Sequence, residues 1–209
     1  MVKLYQTNYP EAYIEVEVEQ FYSNDLPIFF AKTGKDTYLR DFAEPFYYVP
    51  EMLTGNRPAD GGHLIIEAKD YDDFIKREPN AKKYIKRLIG SKEFIRNLPR
   101  YCLWLENASP AELRRMPLVA QRVGAVKKLR ESSAREATRR LAETPHLFGE
   151  IRQPKEGNYL LIPRVSSESR RYVPIGFISS EIIASDATLL VPNAALYDFG
   201  IMTSSVHNA

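Results

Sequence analysis

A dense group of hydrogen-bonding side chains lies between Glu143 and Phe177, among residues typical of β-strands. Nine of them fall within twenty positions: Arg152, Gln153, Arg164, Ser166, Ser167, Glu168, Ser169, Arg170 and Arg171. Arginine can fork onto guanine or grip a phosphate, glutamate can accept from cytosine, and serine adapts to either. Over Arg164–Arg171 these types fit a loop that reads base edges. A polar hairpin turn with incidental charges is the interpretation that the residues alone favour, and they leave both interpretations open.

Two further features could contact a polyanion. From residue 113 to 153, ten Arg or Lys stand against four Glu, a net of +6, whereas the whole chain carries +2. This charge suits a helix that lies along a phosphate backbone, and equally the solvated face of a core helix. The turn-rich run Gly55–Gly62 (GNRPADGG) could wrap a phosphate with its backbone N–H groups, or simply join two strands as a surface turn.

Catalytic and metal-binding patterns are not found in the sequence. His63, His146 and His207 are far apart and have no ligand spacing with Cys102, so no zinc site is predicted. The sequence contains no G-x-S-x-G elbow, no P-loop and no H-E-x-x-H pair. We therefore predict no catalytic residue, and we expect this chain alone not to be an enzyme.

Length and composition indicate an ordinary globular chain. Its 209 residues suffice for one good-sized domain or two small ones, and 44% hydrophobic and 27% charged residues are typical of globular proteins. No run of about eighteen apolar residues predicts a membrane span, and the N-terminus lacks the apolar core of a signal peptide. The single cysteine, Cys102, excludes an internal disulfide framework and fits a reducing cytoplasm. It lies in an apolar run and is predicted to be buried.

Short strands and helices must position these side chains in the first half of the chain. Alternation with period two and short apolar runs predict strands at 12–22, 28–32, 46–49, 63–67 and 100–105. Start and stop signals predict helices at 70–77, 81–89 and 91–97. Ser109 followed by Pro110 indicates a further helix start, because serine caps N-termini and proline favours the first helical position.

A long basic helix and a strand-rich region are predicted to follow. The helix should run from Pro117 to about Ala142, with its apolar stripe at Val119, Val123, Val126, Leu129, Ser133, Ala137 and Leu141. Lys128, Arg135 and Arg139 would share another, outward face. The strands predicted after it are 147–151, 159–163, 172–178, 182–184, 188–191 and 196–202. Together these elements predict an α+β fold with mixed small sheets, a long basic helix and a strand-rich C-terminal half.

Six blocks of the sequence carry a resemblance to a known family. In chain order they are GNRPADGGHLII, KYIKRLIGSKEFIRNLPRYCLWL, ASPAELRRMP, AREATRRLAETPHLFGEIRQP, IPRVSSESRRYVPIGF and FGIMTSSVHNA. Together they resemble the target-recognition domain of MmeI-like (type IIL) enzymes. These large bacterial proteins methylate the exocyclic amine of adenine in a short DNA site, and many of them also cut DNA. The resemblance covers roughly residues 50–209 with the blocks in order, which makes it highly specific.

The resemblance implies a DNA target-recognition domain that docks in the major groove. We expect this domain over 46–209, and a strand-rich segment over 1–45 that could bridge to a catalytic half. That half should carry an Asn-Pro-Pro-Tyr-type motif and a glycine loop for S-adenosylmethionine, neither of which occurs in this sequence. The chain is therefore expected to be an excised domain or a separately encoded specificity piece without a cofactor of its own. Its expected partners are double-stranded DNA and a methyltransferase catalytic domain, in the same polypeptide or in a partner chain.

Position by position, the resemblance implies two main groups of DNA contacts. The expected base-reading residues are Arg152, Gln153, Ser166, Ser167, Glu168, Arg170 and Arg171. The expected phosphate or backbone contacts are Asn56, Arg57, Gly61, Gly62, Arg135, Arg139 and Arg140. Ser204, Ser205 and His207 are weaker candidates. Two other functions fit the same residues: a protein-interaction domain whose arginines contact an acidic partner, and an RNA-binding module.

Overall fold

The computed structural model describes residues 18–22, 27–31, 49–167 and 169–204. The chain divides into two compact units between Val49 and Pro50. In the first unit, β1 (Val18–Tyr22) pairs antiparallel with β2 (Pro27–Ala31), within or close to two predicted strands. The strand predicted at 46–49 lies outside the described residues except for Val49. The predicted boundary between residues 45 and 46 stays a prediction.

Two four-stranded sheets form the framework of the second unit. In sheet I the strand order is β3 (Leu53–Thr54), β10 (Thr188–Pro192), β7 (Asn158–Pro163) and β8 (Gly176–Ser179), all antiparallel. In sheet II the order is β4 (Ile65–Glu67), β6 (Arg100–Leu103), β5 (Ile85–Ile89) and β9 (Ile183–Ala184). Only the β5–β9 pair of sheet II is parallel. The predicted α+β class with small sheets is confirmed.

Six α-helices and three 3₁₀ turns connect these strands in the described part of the chain. The α-helices are α1 (Tyr71–Arg77), α2 (Ser91–Arg96), α3 (Pro110–Arg114), α4 (Pro117–Glu131), α5 (Glu136–Arg140) and α6 (Leu196–Met202). The 3₁₀ turns are Ala68–Asp70, Pro79–Tyr84 and Leu141–Glu143. The start predicted for α3 is confirmed, since the Ser109 hydroxyl accepts from the Glu112 N–H and the Glu112 carboxylate accepts from the Ser109 N–H. None of these helices is long and apolar enough to cross a bilayer.

The core consists of one large and two smaller apolar clusters. The large cluster packs sheet II against α1 and α4, and it contains Leu64, Ile66, Phe74, Cys102, Leu103, Met116, Val119 and Val126. The predicted burial of Cys102 is confirmed, and burial raises the pKa of its thiol well above the ordinary range. Strand β7 is buried on both faces. Tyr159 and Leu161 belong to one small cluster, whereas Leu160 and Ile162 face another that α6 covers.

Two predicted elements have the wrong type. Residues 81–89, predicted as a helix, form the end of a 3₁₀ turn and then β5, because pairing with β6 and β9 outweighs local helix preference. Residues 196–202, predicted as a strand, form α6, whose start is fixed by a hydrogen bond from the Ala195 N–H to the Asp198 carboxylate. The strand predicted at 147–151 is also wrong, because it is reduced to a single bridge between Glu150 and Arg57.

The predicted start of the long basic helix at Pro117 is confirmed, but its predicted end near Ala142 is wrong, because α4 ends at Glu131. The Ser132 hydroxyl donates to the Leu129 carbonyl and the Ser133 hydroxyl accepts from the Arg135 N–H, so serines compete with the helical backbone bonds. The apolar stripe ends there too. Val119 and Val126 are buried, whereas Leu129 is 41% exposed and Ala137 is exposed.

Candidate nucleic-acid interface

Loops from distant parts of the sequence meet at one end of sheet I. Pro163, the last residue of β7, pairs with Thr188 at the start of β10, and Thr54 at the end of β3 pairs with Leu189. The segments that leave these strands therefore emerge at the same end. Isolated bridges join Asn56 to Ser185 and Arg57 to Glu150. We call residues 55–57, 150–153, 164–172 and 185–187 the loop edge.

Residues 164–167 and 169–172, in the connection between β7 and β8, are the most exposed part of the loop edge. The first residue of this connection is anchored, because the Arg164 N–H donates to the Ala187 carbonyl and its guanidinium donates to the Asp186 carbonyl, both at 3.2 Å. The Arg170 N–H bonds to the Ser167 carbonyl at 3.0 Å and closes a turn. This loop is therefore fixed at its base and folded at its tip, which suits presentation of side chains.

The arginines at the tip of this loop carry charge that is open to a ligand. Arg170 and Arg171 are exposed, and neither forms an ion pair with a residue that the structure describes. The Arg171 guanidinium lies 5.3 Å from the centre of the Tyr172 ring, a cation–π geometry that leaves its edge available. Ser166 and Ser167 are also exposed, and the Ser167 hydroxyl lies 2.8 Å from that of Ser169. Glu168 lies outside the described residues.

Two arginines of the loop edge share one carboxylate. The Glu150 side chain accepts from Arg152 and, at 3.3 Å, from Arg57. Hydrogen bonding from Arg152, with a smaller contribution from Arg57, lowers the pKa of Glu150. The side chains of Arg57 and Arg152 remain 49% and 36% exposed, so a phosphate or base could compete with Glu150 for either.

Asn56 is buried, and this is at odds with the phosphate contact predicted for it. Its side chain is 0% exposed. The amide nitrogen donates to the Gln153 side-chain oxygen at 2.9 Å and to the Ala184 carbonyl at 2.8 Å, while the amide oxygen accepts from the Arg152 N–H at 2.7 Å. Reaching a phosphate would break these bonds, so we assign Asn56 to the support of the loop edge.

Gln153, predicted to read a base, has its hydrogen-bonding capacity filled within the domain. Its amide nitrogen donates to the carbonyls of Ser180 and Ile182 at 3.0 and 2.9 Å. Its amide oxygen accepts from Asn56 and from the Ala184 N–H. A glutamine offers two donors and two acceptor positions, so none is left for a base. The predicted reading role is therefore not favoured, and a supporting role is.

The turn Gly55–Gly62 is built as an anion nest, but its own aspartate fills it. Gly61 and Gly62 have positive φ values of 64° and 88°, the geometry that turns successive N–H groups inward. The buried Asp60 carboxylate accepts from the N–H groups of Gly62 and Leu64 at 3.0 and 2.5 Å. A phosphate would have to displace this carboxylate, so the backbone contacts predicted for Gly61 and Gly62 are not favoured.

Arg130, which the sequence did not single out, organises the back of this turn. Its side chain is 0% exposed, and its N–H groups donate to five carbonyls at 2.8 to 3.1 Å. The acceptors are Pro58, Ala59, Leu141, Thr144 and Leu147. Its spacing from Val119 and Val126 places it on the buried face of α4, and this is the signal that could have identified it.

Comparison with known proteins identifies the family of this chain. The family model of the MmeI target recognition domain matches residues 33–209. The chain belongs to this family. It is 34% identical over 192 residues to DNA methyltransferase A of Bacillus subtilis (strain 168), covering 91% of the chain and 21% of that protein. The resemblance inferred from the sequence is confirmed.

A solved structure gives the same result for the fold of this target recognition domain. The type IIL restriction-modification enzyme MmeI, solved in complex with DNA, is 36% identical and superimposes with a TM-score of 0.77. The match covers 93% of this chain and 27% of the MmeI chain. The domain thus spans about a fifth to a quarter of the length of these relatives.

The remaining predicted contacts of the target recognition domain lie beyond α4. Arg135, Arg139 and Arg140 are exposed, although Arg139 donates to the carbonyls of Ser133 and Ala134, and Arg140 pairs with Glu136 at 2.6 Å. Arg130 ties this region to the turn that contains Arg57. Ser204 follows α6 and is half-buried, whereas Ser205 and His207 lie outside the described residues.

Proposed function

We propose that this target recognition domain reads the sequence of double-stranded DNA as the specificity domain of an adenine methyltransferase. The observation that carries the proposal is its likeness, at 36% identity and a TM-score of 0.77, to an enzyme solved in complex with DNA. The loop edge supports it. Arg164 anchors the base of its loop through two hydrogen bonds of 3.2 Å, and Arg170 and Arg171 near the tip are exposed, where a guanidinium could reach a base edge in the major groove.

The proposed roles follow from which of the predicted side chains are wholly or partly exposed to solvent. Ser166, Ser167, Arg170 and Arg171 at the exposed loop, together with Arg152, would contact base edges, and Glu168 is proposed with them from the sequence alone. Arg57, Arg135, Arg139 and Arg140 would contact phosphates, where an exposed guanidinium adds affinity irrespective of sequence. Asn56 and Gln153 are excluded from direct contact in this proposal because they are saturated inside the domain.

In this proposal, methyl transfer itself takes place in a separate methyltransferase part. The relatives are about four to five times as long as the region that matches this chain, so their remaining length could contain such a part. S-adenosylmethionine would bind there and supply the methyl group. This chain would select the site and hold the duplex while the target adenine is presented to that part, which cannot reach a base inside the stack. The catalytic part could lie in the same polypeptide or in a partner chain, and it could also cut DNA.

Selection from a duplex pool with a randomised centre tests the proposal. The 209-residue chain should enrich one short sequence, and the enriched duplex should bind more tightly than a scrambled one in fluorescence anisotropy. Arg170→Ala should cost about 1–3 kcal/mol on the enriched duplex and little on the scrambled one. Arg139→Ala should weaken both duplexes together and reduce the salt slope by about one unit, because it removes a phosphate contact.

Lys76→Ala is the matched control, since it removes an exposed positive charge from α1 without touching any proposed contact. It should change neither sequence preference nor affinity. Failure of the native chain to enrich any sequence would refute the proposal. A domain that reads the DNA major groove should not be displaced by duplex RNA, because the deep, narrow major groove of RNA excludes side-chain readout. Equal competition by duplex RNA would therefore indicate an RNA-binding module. Undiminished affinity for the enriched duplex after loss of both Arg170 and Arg171 would instead favour a protein-interaction domain, in which these arginines contact an acidic partner.

A further inference from the structure

A hydrogen-bonded amide pair, the buried Asn56 and the half-buried Gln153, joins the separate parts of the loop edge. We propose that this pair is a positioning element: it fixes Arg152 relative to the exposed 164–172 loop, so that both read DNA in one register. The inference rests on the proposed function and deepens it. It assigns to two side chains that are saturated within the domain a contribution to specificity that requires no contact with DNA.

The contacts of Asn56 reach one proposed reader directly. Its amide oxygen accepts from the Arg152 N–H at 2.7 Å, which is the shortest of its side-chain bonds. On the other side its amide nitrogen donates to the Ala184 carbonyl, which also accepts from the Asn56 N–H at 2.8 Å. The backbone of Arg152 is thus tied through one asparagine to β9, a strand of sheet II.

The same asparagine reaches the exposed loop through the turn 185–187. The Asn56 carbonyl accepts from the Asp186 N–H at 2.9 Å. The Asp186 carbonyl accepts from the guanidinium of Arg164, the first residue of the loop, and the Ala187 carbonyl accepts from the Arg164 N–H. Two hydrogen-bonded steps therefore connect Asn56 to the base of the loop that carries Arg170 and Arg171.

Gln153 makes this connection rigid. It bridges Asn56 to the 180–184 segment through four hydrogen bonds of 2.9 to 3.1 Å. A fully satisfied amide network that includes a buried asparagine favours one arrangement, because the alternatives leave a buried polar group unpaired. Base readout needs side chains held within roughly half an ångström of their productive positions. The pair supplies that constraint at the point where the reading segments meet.

This assignment separates positioning from direct reading. If Gln153 read a base, its loss would relax preference at one position of the site. If the pair positions Arg152 and the loop together, the loss of either amide relaxes several positions at once. Binding to unselected DNA should persist in that case, because the proposed phosphate contacts Arg135, Arg139 and Arg140 are exposed and outside the network.

The experiment compares Asn56→Ala and Gln153→Ala with the native 209-residue chain in selection from the randomised duplex pool. Each variant should lose roughly tenfold or more of the affinity difference between enriched and scrambled duplex, a loss on the scale of one mismatched base pair. Preference should fall at several positions. Affinity for the scrambled duplex should stay within about twofold, with an unchanged salt slope.

Val119→Ala is the control for lost stability. It truncates a fully buried side chain of α4 in the large core cluster, which contains neither Asn56 nor Gln153, and the cavity that it leaves lowers stability. The hydrogen bonds of Asn56 and Gln153 stay in place. This variant should melt at a lower temperature with an unchanged base preference, which shows that destabilisation alone does not relax specificity.

The outcomes are distinguishable. A native chain that enriches no sequence overturns the proposed function, whereas a native chain that enriches a site together with variants of unaltered preference overturns only the positioning role. Relaxation at a single position in Gln153→Ala would overturn it as well, in favour of direct reading. Equal loss on both duplexes would also contradict it. Should Asn56→Ala not fold, Gln153→Ala decides the question alone, because Gln153 is only half-buried.

Discussion

Replacement of Arg130 by methionine should destabilise the domain severely, although the residue lies on a helix rich in exposed positive charges. Methionine is unbranched and of similar length, so the change removes the guanidinium with little change in apolar packing. The guanidinium is fully buried, and burial lowers its pKa while the charge of Asp60 opposes that shift. The side chain stays charged at neutral pH because arginine titrates far above it.

The magnitude follows from the acceptors that Arg130 leaves behind. The carbonyls of Pro58, Leu141 and Thr144 also accept backbone N–H groups. For Ala59 and Leu147, Arg130 is the donor found among the described residues. Each buried acceptor without a partner costs about 1–3 kcal/mol, so two cost about 2–6 kcal/mol. Relief of the desolvated charge offsets part of this, and we expect a net loss of about 3 kcal/mol.

Urea unfolding followed by the fluorescence of the single tryptophan is the assay. Trp104 packs edge-on against Phe148 at 5.1 Å, next to one of the carbonyls that Arg130 holds, so it reports on this region. A loss of about 3 kcal/mol is a large part of the free energy of unfolding of a typical domain, about 5–15 kcal/mol. The urea concentration at the midpoint of unfolding should therefore fall clearly.

Arg139→Met is the control for loss of an arginine. Arg139 also donates to two backbone carbonyls, but it is exposed, and its replacement should cost less than about 0.5 kcal/mol. Equal effects of the two replacements, or a loss below about 1 kcal/mol for Arg130→Met, would show that water or rearranged backbone donors satisfy the freed carbonyls. The reasoning from saturated buried donors would then be refuted.

Two further predictions concern other features of the fold, a close backbone approach at Gly55 and the titration of His146. A Cβ on Gly55 would lie 2.1 Å from the Ser185 carbonyl oxygen, so Gly55→Ala should lower the free energy of unfolding in urea by about 1–3 kcal/mol or more. Gly124 lies in the interior of α4 with open space around it, so Gly124→Ala should raise that free energy by about 0.5–1 kcal/mol. An unchanged stability of Gly55→Ala would contradict the close approach. Burial, and to a smaller extent the positive charge of Arg130, lowers the pKa of His146 in the folded chain. Below about pH 6.5 the unfolded chain therefore binds more protons than the folded chain, and the free energy of unfolding should decrease as the pH falls through that value. His146→Gln should reduce this acid-side loss of stability, and identical pH profiles for the two proteins would exclude the assignment.

Several elements could be predicted from the sequence because their signals are local. The Ser109–Pro110 helix start follows from capping chemistry, and β7 follows from an apolar run of strand formers. Residues 81–89 could not be assigned correctly, because strand partners far away in the sequence decide their structure. Residues 196–202 did carry a local helix signal, the Asp198 cap, which the strand prediction overlooked. The basic helix ends after Glu131, where the Ser132 and Ser133 hydroxyls form hydrogen bonds with the backbone. Only tertiary packing decides whether such hydroxyls bond to the backbone or to solvent.

The candidate site likewise contains features that could be predicted from the sequence and others that could not. The ordered family blocks identified this chain from the sequence as a target recognition domain, and the family match confirms this. The types and density of residues 164–171 alone fitted a polar turn as well as a reading loop. Which of the polar residues face solvent was decided only by the tertiary structure. Asn56 and Gln153 look like DNA contacts in the sequence, and Arg130 looks like surface charge. All three are used up inside the domain, because their partners come from positions up to 128 residues away. Side-chain type is a local property of the chain, whereas a hydrogen-bonding group is free or occupied only once the fold has brought its partners to it.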